Sequence, residues 1–336
     1  MAFTRLPAGL SIRIRLGLAT SRGARVAAAL SGVLILATLT GAARQPAVSY
    51  PVQAAFTPTG PYATTTGTVT DAAGTAIYDL FYPSDYAALG FKSPIVTRGN
   101  GTGGTPAKVS TFLNHLASYG FTVIASTLPN TGSGNEIDAA ARYLVAQDSA
   151  TGSVFHGHLA VNKVAAVGTS QGATGAVRAA TNDPALIKTV MTFSEPNPIW
   201  AAPNPDCPTA ADCTADPAAL TQPVFFISTH GFWDSIIASP ATEKAFFLSV
   251  TVHAALGIIL NSDSKPADHA SIQDTADGGN PGGFLGYATA WLEYQLRGNA
   301  TAAGAFTGAH PNWYRIPTGQ AAPPSSLAVP AALRLP

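Results

Sequence analysis

Charge is scarce in this chain: Asp, Glu, Lys and Arg make up only 11% of 336 residues, with 18 basic and 18 acidic side chains. No cluster of Lys and Arg is present that would track a phosphate backbone, so nucleic acid is not expected as a partner. No G-K-[ST] follows a glycine-rich stretch and no Rossmann spacing fits, which removes a nucleotide-cradling loop as well. Cysteine is nearly missing, Cys207 and Cys213 being the only two. A zinc site would need two further ligands and none stands nearby. In "PDCPTAADC" the pair is instead expected to close a small loop as a disulfide, which suits an exported chain. What the chain has in quantity is apolar surface, 46% of its residues, enough for a sizeable core and far from a disordered composition.

The apolar run near the N terminus, "VAAALSGVLILATL", is short of the roughly 20 residues that a membrane span needs. Arg5, Arg13, Arg15, Arg22 and Arg25 precede it and the small residues "TGAA" follow. A positive flank, a short apolar core and a small-residue exit are the parts of a secretory signal, expected over residues 1–43. The alternative is a retained membrane anchor. Cleavage is expected after Ala43, with Ala54 as a second candidate. The segment carries five arginines and no acid, so its removal leaves 13 basic residues against 18 acidic ones and a net charge near −5. The mature chain, expected without a membrane span, would begin with an exposed segment, 44–57.

From residue 61 onward, strand-like and helix-like segments alternate. "GPYATTTGTV" and "AIYDLFYPSD" read as early strands parted by the turn "TDAAGT". "SPIVTRG", "FTVIAST", "KVAAVG", "VMTFSE" and "PVFFIST" read as short buried strands, with "ALGIIL" as the last. Between them "KVSTFLNHLASYG", "NEIDAAARYLVAQ" and "GATGAVRAATND" have helical spacing, and "GFLGYATAWLEYQLRGN" closes the domain as a helix. The expected fold is α/β, a mostly parallel central sheet with helices on both faces. One domain, 58–316, should hold it, followed by the Pro/Ala-rich tail 317–336.

In "KVAAVGTSQGATGAV" the strand stops at Gly168-Thr169-Ser170-Gln171-Gly172, a G-x-S-x-G pattern between a strand and a helix. Glycines two places either side of the serine leave room for a turn too tight for Cβ atoms. Ser170 is therefore the candidate nucleophile. A serine hydroxyl needs a base, and the order in such hydrolases is Ser, then acid, then His. His253 lies inside an apolar segment and His310 lies beyond the last helix, so His269 in "KPADHASI" is the expected base. Asp234, just after "PVFFIST", is the expected orienting acid; Asp263 and Asp268 stand too close to His269 in sequence. Gln171 should supply one backbone N–H of an oxyanion hole. The second should come from "GNGTGG", where Thr102 and Asn100 both qualify. The "HGH" at 156–158 lacks further ligands and reads as a surface turn. No metal or cofactor is expected.

With these residues placed, the chain resembles the α/β-hydrolase superfamily, and within it bacterial secreted polyester hydrolases (cutinases and poly(ethylene terephthalate) hydrolases) and dienelactone-hydrolase-like esterases. The similarity runs over most of residues 58–315. It is carried by "HLASYGFTVIAS", "VGTSQGATGAVRAATND", "HASI" and "ATAWLEYQLRGNATAAGAF". Those hydrolases usually show Gly-His-Ser-Met-Gly where this chain has "GTSQG". They also carry an aromatic residue in the oxyanion loop, at the position that alignment back from Gly120 gives to Thr102. The resemblance implies a substrate-facing tryptophan at Trp200, against the alternative of an ordinary packed one; Trp233 reads as structural. It implies a secreted serine esterase, expected as a monomer, acting on an ester that is small or polymeric. An amidase or peptidase on the same triad, and a non-catalytic binding protein that kept the fold, are the alternatives.

Overall fold

Four strands carry apolar and small residues on both of their sides, and this dictates the architecture. In β3 (Ser93–Gly99), β4 (Thr122–Ser126), β7 (Val224–Thr229) and β8 (Ala254–Ile259) every residue is buried. Successive side chains of a strand point to opposite faces, so a strand buried throughout must be covered on both. In the computed structural model these strands join β1 (Thr64–Thr70), β2 (Ala76–Pro83), β5 (Leu159–Thr169) and β6 (Ile187–Phe193) in one eight-stranded sheet of order β1-β2-β4-β3-β5-β6-β7-β8. β1 and β2 are antiparallel to their neighbours; every pairing from β4 to β8 is parallel. The structure describes residues 51–201, 207–209, 211–262, 265–274 and 281–307. The signal expected over 1–43, the tail 317–336, Asp263 and His310 lie outside them.

The helices follow from the spacing of apolar side chains. α2 (Ser110–Ser118) buries Phe112, Leu113 and Leu116, and Gly120 leaves its end at φ +94°, a conformation glycine adopts without strain. α3 (Asn135–Ser149) and α4 (Gln171–Asn182) lie against each other over β3 and β5, and α7 (Gly282–Arg297) packs against α2, β5 and β6. Phe193 of β6 meets Phe112 of α2 and Phe284 of α7 edge-on at 5.4 and 5.7 Å, an arrangement worth about 0.5–1.5 kcal/mol per pair beyond area burial. His253 is in the core beside Trp291 and Gln295. The "HGH" stretch is an exposed turn, with His158 stacked on Tyr86. Among the described residues, no helix is long and apolar enough to cross a membrane.

One expectation fails at the start of the chain. Residues 44–57 were expected to be exposed, but α1 (Pro51–Phe56) buries Val52, Gln53 and Phe56. The reason is a close helix–helix contact with α7. A Cβ at Gly286 would lie 2.8 Å from the Gln53 carbonyl oxygen, so only glycine lets α1 approach. His115 Nε2 to the Phe56 carbonyl oxygen at 3.0 Å, and Phe56 against Tyr119, complete the seat. Cleavage after Ala54 would cut this helix and take Val52 out of the core.

The strand order places the site. After β4 the chain crosses over β3 to reach β5, so the loops leaving β3 and β5 diverge. In an open α/β sheet a crevice forms at such a switch point, outside the carboxyl ends of the strands.

Candidate active site

Ser170 is where β5 ends and α4 begins, with φ +54° and ψ −127°. A serine at positive φ is strained, by an amount on the order of 1–3 kcal/mol, and holds only where its surroundings fix it. They do so by close backbone packing. A Cβ on Gly168 would come within 1.8 Å of the Gly172 carbonyl oxygen, and one on Gly172 within 2.5 Å of the Gly99 carbonyl oxygen. The Ser170 N–H donates to the Phe193 carbonyl oxygen at 2.9 Å, closing the β5–β6 ladder beneath the turn. The first amides of α4, starting at Gln171, have no acceptor within the helix and carry the positive end of its dipole.

Ser170 opens into a cavity of about 340 Å³ at the switch point. Its walls include Asn100, Gly101 and Thr102 from the β3–α2 loop, Gln171 from α4, Trp200, and His269. The two candidates for the second oxyanion donor thus both border it. The Asn100 side chain is committed elsewhere: its amide donates to the Ser126 and Leu128 carbonyl oxygens at 2.5 and 2.9 Å, and its oxygen accepts from Arg98.

Asp234 is fully buried in the first turn of α5 (Phe232–Ile237). Its Oδ1 lies 2.7 Å from His269 Nδ1. Its Oδ2 accepts from the Thr229 N–H at 2.9 Å, Thr229 Oγ1 at 2.6 Å and Ser194 Oγ at 2.8 Å. An acceptor-only carboxylate is satisfied by such a ring of donors. Facing Nδ1, it holds the tautomer in which Nδ1–H donates and the lone pair is on Nε2. Asp268, dismissed on sequence as too close to His269, has a different function here. Its carboxylate accepts from the backbone N–H groups of Asp234 at 3.0 Å, Trp233 at 3.2 Å and His269 at 2.8 Å. It ties the His269 loop to α5, and no pattern in the sequence announced that.

Three further participants were missed. Ser194, at the end of β6, has φ +52°, the only other positive φ outside glycine among the described residues. The next residue, Glu195, donates its N–H to Glu243 Oε1 at 2.7 Å from α6 (Pro240–Ser249). Both carboxyls are buried: burial pushes Glu195 up to about 8, and burial with the charges of Glu195 and Asp234 raises Glu243 well above its usual range. At neutral pH Glu195 is therefore mostly protonated. The third, Arg98, lies under the cavity at the end of β3.

Trp200 borders the cavity and donates Nε1–H to the Ile236 carbonyl oxygen at 2.8 Å. Trp233, expected to be structural, is instead 57% exposed beside Phe232 at 68%, because α5 turns Asp234 inward and its neighbours outward. The cysteines are joined, Cys207 to Cys213, in a loop that Arg178 of α4 holds by donating to the Thr214 carbonyl oxygen at 2.8 Å.

No individual curated protein matches this chain. The mostly parallel sheet, with Ser170 on the turn from β5 into α4, is the α/β-hydrolase arrangement. One protein family, described as PET hydrolase-like, matches residues 19–209, more than half of the chain and a span that includes Ser170 and ends before Asp234. On this match and this fold, the chain belongs to the PET hydrolase-like family of the α/β-hydrolase superfamily.

Proposed function

We propose that this protein is an exported serine esterase in which Ser170, His269 and Asp234 form the catalytic triad. The observation that carries the reading is the 2.7 Å pairing of His269 Nδ1 with the buried Asp234, with His269 and Ser170 bordering one cavity. His269 Nε2 takes the Ser170 proton as Oγ attacks the ester carbonyl carbon. The Gln171 N–H and an N–H from residues 100–102 hold the tetrahedral oxyanion. The protonated imidazole, stabilised by Asp234, then gives its proton to the departing alkoxide. Water, deprotonated by the same imidazole, attacks the acyl-enzyme and releases the acid.

Family membership supports a polyester or ester substrate. An apolar shelf beside the cavity supports the polymeric case: Ile199, Trp200, Phe232, Trp233 and Ile236 are all large and exposed, and the Trp200–Ile236 hydrogen bond joins its two parts. Exposed apolar groups gathered in this way favour adsorption to an insoluble apolar surface. Export is supported by the signal-like residues 1–43 and by the disulfide.

Fluorophosphonate labelling with peptide mapping tests the mechanism. The adduct should fall on Ser170, and Ser170→Ala should lose both label and turnover of short p-nitrophenyl esters while staying folded. A folded wild-type protein that takes no label would favour a binding protein over an enzyme.

A further inference from the structure

A cation lies buried under the proposed nucleophile with no acid beside it among the described residues. Arg98 is 3% exposed, and its partners are all neutral: Nη1 donates to the Gly99 carbonyl oxygen at 2.9 Å and Asn100 Oδ1 at 2.7 Å, and Nη2 to Thr169 Oγ1 at 3.1 Å. Its Nε is buried and has no partner among the described residues. The described ion pairs belong to Arg142, Arg297 and His269, none to Arg98. Burial lowers its pKa to about 10, so it keeps its charge at neutral pH.

The rest of the cavity does not neutralise it. Lys108 also borders this space, and among the described residues no Asp or Glu does. Among the described acids of the surrounding loops, Asp234, Asp268 and one oxygen of Asp274 are committed, while Asp274 Oδ1 is buried without a hydrogen bond. Asp234 and Asp268 hold the donors described above, and Asp274 accepts from Ser110 Oγ at 2.7 Å and the Thr111 N–H at 2.9 Å. A buried, uncompensated guanidinium costs several kcal/mol unless an anion is close.

We infer that this cavity is a carboxylate-binding site in which Arg98 at the floor and Lys108 at the wall receive the anion, so that the favoured substrates are esters bearing a free carboxylate. A planar guanidinium prefers a carboxylate, by a charge-assisted hydrogen bond that a neutral group of the same shape cannot make. Partial hydrolysis of a polyester of dicarboxylic acids produces such molecules, since each cleavage leaves a carboxylate at a new chain end. The inference rests on the esterase reading for the cavity being a substrate site, but anion binding itself can be read without catalysis.

Benzoate and benzamide have the same shape and differ in charge. Titrated calorimetrically into the full-length protein at pH 7 and low salt, benzoate should bind at least tenfold more tightly than benzamide. Arg98→Gln should bring that ratio close to one, a result that mere loosening of the 99–102 loop would not produce. Lys108→Gln, a change at an exposed side chain, should lower the ratio about threefold and decides the matter if Arg98→Gln does not fold. A wild-type ratio of one or less, or a ratio that neither variant lowers, would overturn the assignment. Turnover of p-nitrophenyl butyrate, measured separately, tells a failure of the carboxylate site from a failure of the esterase reading.

Discussion

The two halves of the candidate site are built by opposite means. On the β3–β5 side the turn at Ser170 is fixed by the absence of side chains, with carbonyl oxygens filling the space where Cβ atoms would be at Gly168 and Gly172. On the β6–β8 side the proposed acid and base are fixed by polar groups: Ser194, Thr229 and Asp268 make six hydrogen bonds with Asp234, Trp233 and His269. Each half holds one serine at positive φ, Ser170 and Ser194, at the ends of neighbouring strands. The first is held by steric closure and the second by the donors and acceptors around it. A sterically fixed turn should fail completely when a methyl group is added. A polar cage has redundancy, so removing one member should cost less.

The largest effect is therefore expected from Gly168→Ala. Its Cβ would overlap the Gly172 carbonyl oxygen at 1.8 Å, backbone that cannot move without shifting α4. Loss of more than about 3 kcal/mol of stability, read as a fall in Tm of roughly 6–12 °C, should accompany loss of ester turnover. Asp234→Asn comes next. Geometry should survive, but the amide no longer stabilises the imidazolium, and in triad hydrolases generally this costs about 10⁴ in kcat, close to 5 kcal/mol on the barrier. Stability should fall by only about 1–3 kcal/mol, because the new NH₂ faces donors. Circular dichroism melts beside steady-state kinetics check both. If Asp234→Asn kept a tenth of the activity, the acid would have to be sought elsewhere, with Glu195 at the end of β6 as the first position to examine.

The same contrast explains what could be read from the sequence. The strands, the helices α2, α3, α4 and α7, and the elbow at Ser170 were legible because they are written in apolar periodicity and in glycine spacing. β5 begins earlier than expected, at Leu159, because exposed residues 161–163 interrupt its apolar run and the register jumps from Pro94–Ala160 to Ile95–Val164. Asp234 and His269 were legible only through chain order, which gives position without geometry. Asp268, Ser194 and the Glu195–Glu243 contact were not legible. They depend on carboxylates and hydroxyls from three loops meeting in space, and no local spacing encodes that. Arg98 was read as one residue of a strand, and its isolation from acid appears only when the loops close around it. Trp233 was misread because a tryptophan beside a buried acid suggests packing, whereas a single helical turn sends the two in opposite directions.

The buried acids sharpen the comparison in the pH domain. Glu195 titrates near 4.5 when unfolded and at about 8 in the fold, raised by burial. Between these values the folded state holds a proton that the unfolded state has released. Stability is thus full below about pH 4.5, declines as pH rises, and has lost this contribution above about pH 8. The total is on the order of 5 kcal/mol. Glu195→Gln cannot ionise, so its Tm should fall less between pH 5 and 8 than that of the wild type, with Glu243 left to supply the remaining slope. Melting curves across that range give the answer. A wild-type Tm that rises with pH over this interval would mean that these carboxyls are ionised in the fold.

The smallest effect is expected at the clamp between the two polar loops. Asp268→Asn keeps one oxygen able to accept from the Asp234 and His269 N–H groups but gives up the charge and the second acceptor that meets Trp233. The imidazole stays on Asp234 by its own 2.7 Å bond, so its orientation loosens without being lost. A three- to tenfold fall in kcat, with KM within about twofold, is the expected result, because the clamp acts on the placement of the base and touches no substrate. Fluorophosphonate labelling should slow by the same factor, since it needs the same proton transfer from Ser170. A change in KM alone would place Asp268 with the exposed Phe232 and Trp233 as part of the substrate shelf. A fall as large as that of Asp234→Asn would show that the polar cage has no redundancy, and that both halves of the site depend on single contacts.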